Sequence, residues 1–204
     1  MFTGIILETG VVARASQSAL AIRAGRALLR KLAAGVSIAV DGVCLTVTKK
    51  DAVSFYADIM EETRGRTALS ALSRGARVNL ELPATAHSFL AGHIVQGHVD
   101  GTAILARAVK KNNSRILKFS IAPALSKYIV GKGSVAVNGI SLTVIDAGRN
   151  FFTVGIVPRT WKATTLRQLS KGDRVNIEVD VLAKYAQKIL KSYEVTPHRI
   201  SHKV

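Results

Sequence analysis

Two short segments of the sequence place a thiol or a hydroxyl two positions before a threonine. Cys44 and Thr46 lie in GVCLTV, and Ser141 and Thr143 lie in the similar GISLTV. Residues two positions apart in a β-strand project from the same face, so each pair shares a face. Polar groups that project together can hydrogen-bond a polar ring. The pattern therefore predicts two similar surfaces for a heterocycle, with ordinary barrel residues as the alternative interpretation.

Other residues near these segments could move protons. His93 and His98 bracket GHIVQGH, where they could contact a ligand or act as acid and base, or simply belong to a turn-rich connector. Asp180 could polarise Thr143, or it could be a carboxylate at the N-terminus of a following helix. Lys132 could neutralise an anionic ring, or it could be solvated.

These residues belong to a tandem repeat with a constant offset of 97 residues. At that offset 7 of 13 positions are identical in one block and 10 of 20 in another. The blocks are residues 35–47 with 132–144, and 63–82 with 160–179. Gly4 falls on Gly101 at the same offset. The chain is therefore a duplication of about 90 residues followed by a tail from about residue 181.

Each copy is predicted to be a small Greek-key β-barrel. Asp41-Gly42 and Asn138-Gly139 are signals for tight hairpin turns, because glycine accepts positive φ and Asn or Asp tolerates it. Several short strands follow one another without a βαβ alternation. Further strands are predicted at 53–60, 77–82, 150–157 and 174–179, short helices at 25–35 and 122–133, and helical turns ending at Gly75 and Gly172.

The tail is predicted to contain a helix that lies outside both barrels. Residues 181–193 have apolar side chains close to a period of 3.6 residues. These are Val181, Leu182, Tyr185, Ile189 and Leu190. An amphipathic helix with no domain of its own to cover often packs on a partner chain. Residues 194–204 are expected to be a disordered basic end.

Composition and charge exclude several classes of protein. Apolar residues make up 48% and charged residues 21% of 204 residues, which is globular composition. A single cysteine allows no internal disulfide and favours a reducing, cytoplasmic location. No apolar run approaches the ~18 residues of a membrane helix, and no secretory signal or metal-ligand spacing is apparent.

The net charge of +16 lies mostly in the second half of the chain. Residues 1–97 contain 11 basic and 7 acidic residues, whereas residues 98–204 contain 18 and 6. Such a surface could attract nucleic acid, anionic membrane or acidic small molecules, or could be solvated lysine and arginine. Aromatic residues are only 5% and form no stacking platform among the basic residues, which disfavours a nucleic-acid binder.

Taken together, these motifs resemble riboflavin synthase. The matching segments are MFTGII, SIAVDGVCLTV, GHIVQGHVDGTA, KYIVGKGSVAVNGISLTV and TLRQLSKGDRVNIEVD, in order over residues 1 to about 190. The resemblance implies two six-stranded Greek-key barrels, over residues 1–97 and 98–180, and a C-terminal helix within 181–204 that mediates a homotrimer. Residues 13–34 and the last dozen residues match only loosely.

The reaction implied by this resemblance is a dismutation that needs no cofactor and no metal. A four-carbon unit would pass between two molecules of 6,7-dimethyl-8-ribityllumazine, giving riboflavin and 5-amino-6-(D-ribitylamino)uracil. Each barrel would hold one molecule, and the reaction would occur where barrels of two subunits face each other. No nucleic-acid or membrane partner is implied, and association with lumazine synthase stays open.

The resemblance also implies which residues bind and react. The N-terminal barrel would bind one ring through Gly4, Ile5, Ile6, Cys44, Leu45, Thr46, Asp58, Ile59, Met60, Glu61, Glu62 and Thr63. The C-terminal barrel would use Gly97, His98, Val99, Lys132, Ser141, Leu142, Thr143, Ile156, Val157, Pro158, Arg159, Thr160 and Trp161. Catalysis is expected from Ser141, Thr143 and Asp180 at one ring, and from Cys44, Ser37, His98 and Phe2 around the other.

Two residues depart from the family pattern. Asn138 stands where members often have Asp, which removes any carboxylate role there, and Arg159 differs in the PRTW segment. The alternative interpretation is a non-catalytic lumazine- or flavin-binding paralogue. Because such relatives tend to lose polar site residues, the presence of Cys44, Ser141 and Asp180 favours the enzyme.

Overall fold

The computed structural model describes residues 1–194 and contains two closed six-stranded barrels in tandem. The first consists of β1 (Glu8–Ala15), β2 (Ala19–Arg23), β3 (Ser37–Val40), β4 (Val43–Lys50), β5 (Ser54–Asp58) and β6 (Arg77–Glu81). The second consists of β7 (Gly101–Lys111), β8 (Ser114–Ile121), β9 (Ser134–Val137), β10 (Ile140–Gly148), β11 (Phe151–Ile156) and β12 (Arg174–Val179).

Both barrels have the same antiparallel Greek-key order. In the first the neighbours run β1-β2-β5-β4-β3-β6, and in the second β7-β8-β11-β10-β9-β12. The helices are α1 (Arg26–Lys31), α2 (Glu61–Arg66), α3 (Pro123–Ser126), α4 (Pro158–Ala163) and α5 (Val181–Glu194). The predicted fold class, two tandem Greek-key barrels with a C-terminal helix, is confirmed.

The predicted hairpin turns form as their residue types require. Asp41 and Gly42 have φ of 44° and 77°, and Asn138 and Gly139 have φ of 45° and 76°. Two successive positive φ values match the right-handed twist of the flanking strands. They bring Cys44 opposite Ala39, and Ser141 opposite Ala136.

The helical segments are shorter than predicted, and two were missed. The helix expected over 122–133 is limited to α3, and the turns expected before Gly75 and Gly172 are 3₁₀ turns at Ala68–Ala71 and Thr165–Gln168. The helices α2 and α4 follow β5 and β11 directly, where the sequence analysis had assigned only ligand contacts. Of the predicted disordered end, residues 195–204 lie outside the described residues.

The strand pairing corrects the repeat alignment at its start. Gly10 pairs with Val78 in the first barrel, and Ala103 pairs with Val175 in the second, so β1 and β7 correspond at an offset of 93. The hairpin β7–β8 is therefore four residues longer than β1–β2. Gly4 does not correspond to Gly101 as the alignment suggested.

Alternation along β4 and β10 separates core from surface as predicted. Leu45 and Leu142 are buried in the two barrel cores. Cys44 and Ser141 are half-buried, and the threonines that follow them are exposed. The barrel interiors are thus filled by apolar side chains, and the polar face of each strand points outward.

The two barrels meet along a seam at which repeated residues face each other. A Cβ on Gly42 would lie 2.6 Å from the nitrogen of Gly139, so the two hairpin turns touch through backbone that only glycine permits. Beside the turns, Phe2 and Val95 form an antiparallel bridge. Ala39 and Ala136 pack against this bridge and complete a small apolar cluster.

Two equivalent asparagines hold the seam by reciprocal hydrogen bonds. Asn79 donates through Nδ2 to the carbonyl of Asn138 (3.0 Å) and accepts from the N–H of Thr165 (2.8 Å). Asn176 donates through Nδ2 to the carbonyl of Asp41 (2.8 Å) and accepts from the N–H of Ala68 (2.6 Å). Each asparagine reaches from its own barrel to the other, and both are buried. Their bonds satisfy groups that burial would otherwise leave unpaired.

The turn residues Asp41 and Asn138 accept equivalent hydrogen bonds, one through a carboxyl group and the other through an amide. Asp41 Oδ1 accepts the N–H of Asn79 (2.8 Å), and Asn138 Oδ1 accepts the N–H of Asn176 (2.7 Å). Burial raises the pKa of Asp41 to about 7, against a smaller opposing effect of its hydrogen bond. The departure at position 138 therefore keeps the hydrogen bond and avoids a buried carboxylate.

We predict that Asp41→Asn stabilises the protein above pH 7. The folded state keeps a proton on Asp41 that the unfolded chain releases above pH 3.8, so stability falls as pH rises from about 4 to 7. The unfolding free energy at pH 8 should rise by about 2–4 kcal/mol, with little gain at pH 4. Denaturant titration at both pH values measures it. The exposed control Asp58→Asn should not reproduce the effect, and a gain independent of pH would contradict the assignment.

Candidate functional site

The two polar faces are each bordered by a segment that comes from elsewhere in the chain. The N–H of Cys44 donates to the carbonyl of Gly97 (2.9 Å), and the N–H of Ser141 donates to the carbonyl of Gly4 (2.8 Å). We call Cys44, Thr46 and residues 96–99 the first site. We call Ser141, Thr143 and residues 3–6 the second site.

This pairing corrects the division of binding residues expected from the sequence. Gly4, Ile5 and Ile6 were assigned to the N-terminal barrel, but Ile6 packs on the core of the second barrel. Conversely, Val99 packs on the core of the first barrel, although residues 97–99 were assigned to the second. The reason is that the barrels exchange their leading segments across the seam, which a repeat alignment does not reveal.

A buried glutamate anchors each exchanged segment. Glu81 accepts from the N–H and Oγ1 of Thr3 (both 2.7 Å) and from the N–H of Gly4 (3.0 Å). Glu178, its repeat mate, accepts from the N–H groups of Gln96 (2.6 Å) and Gly97 (2.9 Å). Neither glutamate is among the expected site residues, although both end the repeated VN(L/I)E segment.

Burial and hydrogen bonding oppose each other at these glutamates. Burial raises the pKa of Glu178 to about 7, and the two backbone N–H groups offset part of that rise. Burial likewise raises the pKa of Glu81, against the hydrogen bonds from Thr3 and Gly4. Each carboxylate therefore depends on its segment being in place, since those N–H groups replace the water lost on burial.

At the second site, a histidine contacts the candidate hydroxyl directly. The Nδ1 atom of His93 lies 2.7 Å from Oγ of Ser141. Burial lowers the pKa of the imidazole, and the nearby charge of Asp180 partly opposes that shift. The ring is therefore neutral at pH 7, so one nitrogen can accept a proton. His93 is among the residues that the sequence offers for acid–base work, but it is not in the expected catalytic set.

Asp180 caps the C-terminal helix. Its Oδ1 accepts the N–H of Leu182 (3.0 Å), which supports the helix-terminus interpretation of this carboxylate. The charge of Asp180 also reaches His93, so the carboxylate and the Ser141–His93 pair belong to one electrostatic environment. A hydrogen bond between Asp180 and Thr143, which the sequence suggested, is not among the contacts of the described residues.

Two other expected residues lie beside the polar faces. Ser37 lies opposite Thr46 in the β3–β4 register, and Ser134 lies opposite Thr143 in the equivalent place. Ser134 was missed, although the repeat alignment pairs it with Ser37. Lys132 has φ of 66°, where its repeat mate Gly35 has 86°. A non-glycine residue held in this left-handed region often marks a functional position.

Phe2 has a structural place in the seam. Its ring is 1% exposed and packs with Ala39, Val95, Ala136 and Cys44. The expectation that Phe2 contributes around a ring stays a prediction, and its side chain contacts Cys44 from within the seam. His98, in contrast, is exposed beside Gly97 at the first site.

The remaining expected contacts border the same two sites. Residues 58–63 run from the end of β5 into α2, and residues 156–161 run from the end of β11 into α4. Ile59 and Ile156 are buried and anchor these stretches. The stretches thus lie at the barrel rims next to β4 and β10.

One cavity lies away from the hydroxyl faces. A cavity of about 580 Å³ is lined by Thr3, Ile5, Glu81 and residues of the 82–91 linker. None of the candidate thiol or hydroxyl side chains lines it. Hydrogen-bonding groups and the imidazole of His93 converge instead at the polar face of the second site. Both threonines are exposed, so each face is open on one side.

Within residues 1–194, no group of three or more His, Cys, Asp or Glu side chains could hold a metal ion. Over the same residues, no helix has the length and apolar character to cross a membrane.

Comparison with known proteins identifies the repeated unit. The model of the lumazine binding domain family matches the chain twice, over residues 3–83 and 96–180. Riboflavin synthase of Actinobacillus pleuropneumoniae is 41% identical over 194 residues, covering 93% of this chain and 90% of the relative. Riboflavin synthase of Mycobacterium bovis is 43% identical over 202 residues, covering 94% and 99%.

Solved structures share the fold at lower identity. LumP complexed with 6,7-dimethyl-8-(1'-D-ribityl) lumazine superposes with a TM-score of 0.79 at 22% identity, over 88% of this chain and 99% of LumP. LumP complexed with riboflavin gives a TM-score of 0.81 at 23% identity, with the same coverage. At this identity the likeness supports the two-barrel architecture.

We predict that Gly4→Ala disrupts the second site. Gly4 has φ of 75°, and a Cβ there would lie 2.6 Å from Cβ of Ser141. The left-handed backbone costs about 1–2 kcal/mol, and the overlap adds about 1–3 kcal/mol. Gly35→Ala is the matched control, because Gly35 has φ of 86° with nothing within 4 Å. Chemical denaturation should show a clearly larger loss for Gly4→Ala, and equal losses would contradict the close contact.

Proposed function

The chain belongs to the riboflavin synthase family, and we propose that its two sites bind two molecules of 6,7-dimethyl-8-ribityllumazine and dismutate them. One molecule gives a four-carbon unit to the other, which yields riboflavin and 5-amino-6-(D-ribitylamino)uracil. The observation that carries the proposal is the duplicated polar face. Two like surfaces, each with a hydroxyl or thiol beside a threonine, suit two copies of one substrate.

The substrate supplies much of the reactivity. Its C7 methyl group is acidic, because the anion delocalises into an electron-poor ring system. The protein must mainly hold two rings in register and handle a few protons. Fixing two reactants in one geometry removes much of the entropic cost of a bimolecular reaction.

The geometry of each face suits a flat ring. Thr46 and Thr143 are exposed beside half-buried Cys44 and Ser141. A ring laid on such a face is covered by the barrel on one side and is open on the other. The open side can receive a second ring, as stacking of the two substrates requires.

At the second site, Ser141 and His93 handle the proton. The neutral imidazole lies 2.7 Å from the hydroxyl, so it can accept the Ser141 proton while the oxygen, or a water that it orients, adds at C7 of the donor ring. Thr143 shuttles a methyl proton. Asp180 acts on this site through its charge, which stabilises a protonated His93.

At the first site, Cys44, His98 and Ser37 hold the acceptor ring. Backbone N–H and carbonyl groups of residues 97–99 and 58–63 bind its pyrimidine edge. At the second site, backbone N–H and carbonyl groups of Lys132 and of residues 156–161 bind the pyrimidine edge of the other ring. Phe2 contributes by packing beneath Cys44.

The C-terminal helix offers the surface for a homotrimer. Asp100 accepts the N–H of Val179 (2.9 Å) and pairs with Lys184 (2.6 Å), which ties α5 to the second barrel. The helix keeps an exposed apolar stripe, 54–65% exposed, made of Leu182, Tyr185, Ile189 and Leu190. Packing of these stripes would bring the first site of one subunit to the second site of another.

A non-catalytic carrier of lumazine or flavin is the second candidate. It is favoured only by the shared fold of LumP. The Ser141–His93 contact at the second site favours catalysis, since a carrier needs no proton acceptor beside a hydroxyl.

The decisive experiment is to incubate the purified protein with 6,7-dimethyl-8-ribityllumazine alone. Riboflavin should appear, and Ser141→Ala should lower turnover by about 100-fold or more while ligand affinity changes little. The control Ser134→Ala tests a hydroxyl on the neighbouring strand. Bound but unchanged lumazine would support the carrier, and equal losses of turnover and affinity would make Ser141 a binding residue.

Substitution on the helix tests the assembly. Tyr185→Glu with Ile189→Glu should convert the trimer to monomers, because two charges cannot be buried at an apolar interface. Lys188→Glu, exposed on the same helix, is the matched control. Sedimentation equilibrium gives the mass of each variant. A trimer that survives the double substitution would refute the role of α5.

A further inference from the structure

A second cavity lies at the tip of the β7–β8 hairpin, against α4. Its volume is about 250 Å³. Three cationic side chains line it, Lys110, Arg115 and Lys162, together with Ser114 and Trp161. No acidic residue is among the lining residues.

The charges at this hairpin have no acidic counterpart nearby. Lys110 and Arg115 are directly opposite in the strand register, an arrangement that destabilises a hairpin by repulsion. From residue 101 to 145 the chain has seven basic residues and no acidic one. Within the described residues, the two ion pairs are Arg66–Glu62 and Lys184–Asp100, and neither involves the cavity. A bound anion would remove the repulsion.

The equivalent cavity in the first barrel lacks this charge. It is lined by Ser18, Glu61 and Arg64 among others, so one acid balances one base. Arg64 there donates to the carbonyl of Ser16 (2.8 Å). At the repeat offset of 97, Ser18 and Arg64 correspond to Arg115 and Trp161. The positive charge is therefore specific to the second copy, as are the four extra residues of its hairpin, and is not a property of the fold.

Trp161 stacks on the guanidinium group of Arg115. The guanidinium of Arg115 lies 4.2 Å from the centre of the indole ring. Stacking on one face leaves the N–H edge of the guanidinium free to bind two oxygens of an anion. Two lysines beside it add flexible point charges. A volume below the roughly 300 Å³ of small ligand pockets suits a single anionic group better than a ring.

We propose that this cavity is a phosphate site, which takes inorganic phosphate or the phosphomonoester end of a small metabolite. The cavity shares Ile156, Pro158 and Trp161 with the stretch proposed to bind the second ring, whereas Ser141 and Thr143 do not line it. It does not depend on the proposed reaction. It accounts for part of the basic excess in the second half of the chain.

The chain contains a single tryptophan, and it lines the cavity, so its fluorescence reports on binding. Titration with inorganic phosphate, against sodium chloride at matched ionic strength, should give a saturable change in Trp161 emission. Calorimetry should give the same dissociation constant. Ribose 5-phosphate as the second titrant separates the two sources: tighter binding than phosphate indicates an ester, and equal or weaker binding indicates the free ion.

Variants that each remove one positive charge locate the site. Lys110→Gln and Lys162→Gln should each weaken phosphate binding about ten-fold, as expected for loss of one charge-assisted hydrogen bond. Arg107→Gln is the control, because Arg107 is on the same strand, three residues from Lys110, and does not line the cavity. All three side chains are exposed, so the variants should fold. No saturable change with either titrant, or equal weakening by Arg107→Gln, would overturn the proposal.

Discussion

The structure depends on a backbone contact that two barrels can make only because they are copies of each other. At the seam, Gly42 meets Gly139, and the asparagines of β6 and β12 each reach across to the turn of the other barrel. Because the two asparagines make equivalent bonds in opposite directions, the buried polar groups on both sides of the seam are hydrogen-bonded. It also fixes where the strands after the turns begin, and hence where Cys44 and Ser141 lie.

Much of this was predictable from the sequence, for physical reasons. Asp-Gly and Asn-Gly turns need positive φ, so the hairpins and the outward faces of β4 and β10 follow from residue types alone. The exchange of leading segments was not predictable, because it depends on contacts between residues more than 50 positions apart, such as Gly97 with Cys44 and with Glu178. The four extra residues of the β7–β8 hairpin correspond to a place within residues 13–34 of the first copy, which match the family only loosely. The change of repeat offset is therefore not visible in the sequence. The short helices α2 and α4 lack a long periodic pattern, which explains why they were missed.

Differences between repeat mates separate structural from chemical roles. Asp41 and Asn138 accept the same hydrogen bond in the seam, so their difference concerns charge and stability. Cys44 and Ser141 receive the same backbone support but present different atoms to the surface. Only Ser141 has a histidine at 2.7 Å, which makes the second site the better equipped for proton transfer. Duplication thus supplied two like surfaces, and divergence gave them unequal tasks.

The exchanged segments also impose an order on assembly during translation. Residues 96–99 are synthesised after β4, but Glu178, which accepts from the N–H groups of Gln96 and Gly97, is made about 80 residues later still. Residues 3–6 emerge early, yet their strand partner Ser141 is made more than 130 residues later. Until then Glu81 and the N–H of His93, which donates to the carbonyl of Thr3, hold these residues. Both sites are therefore completed only after residues of the second barrel have been synthesised.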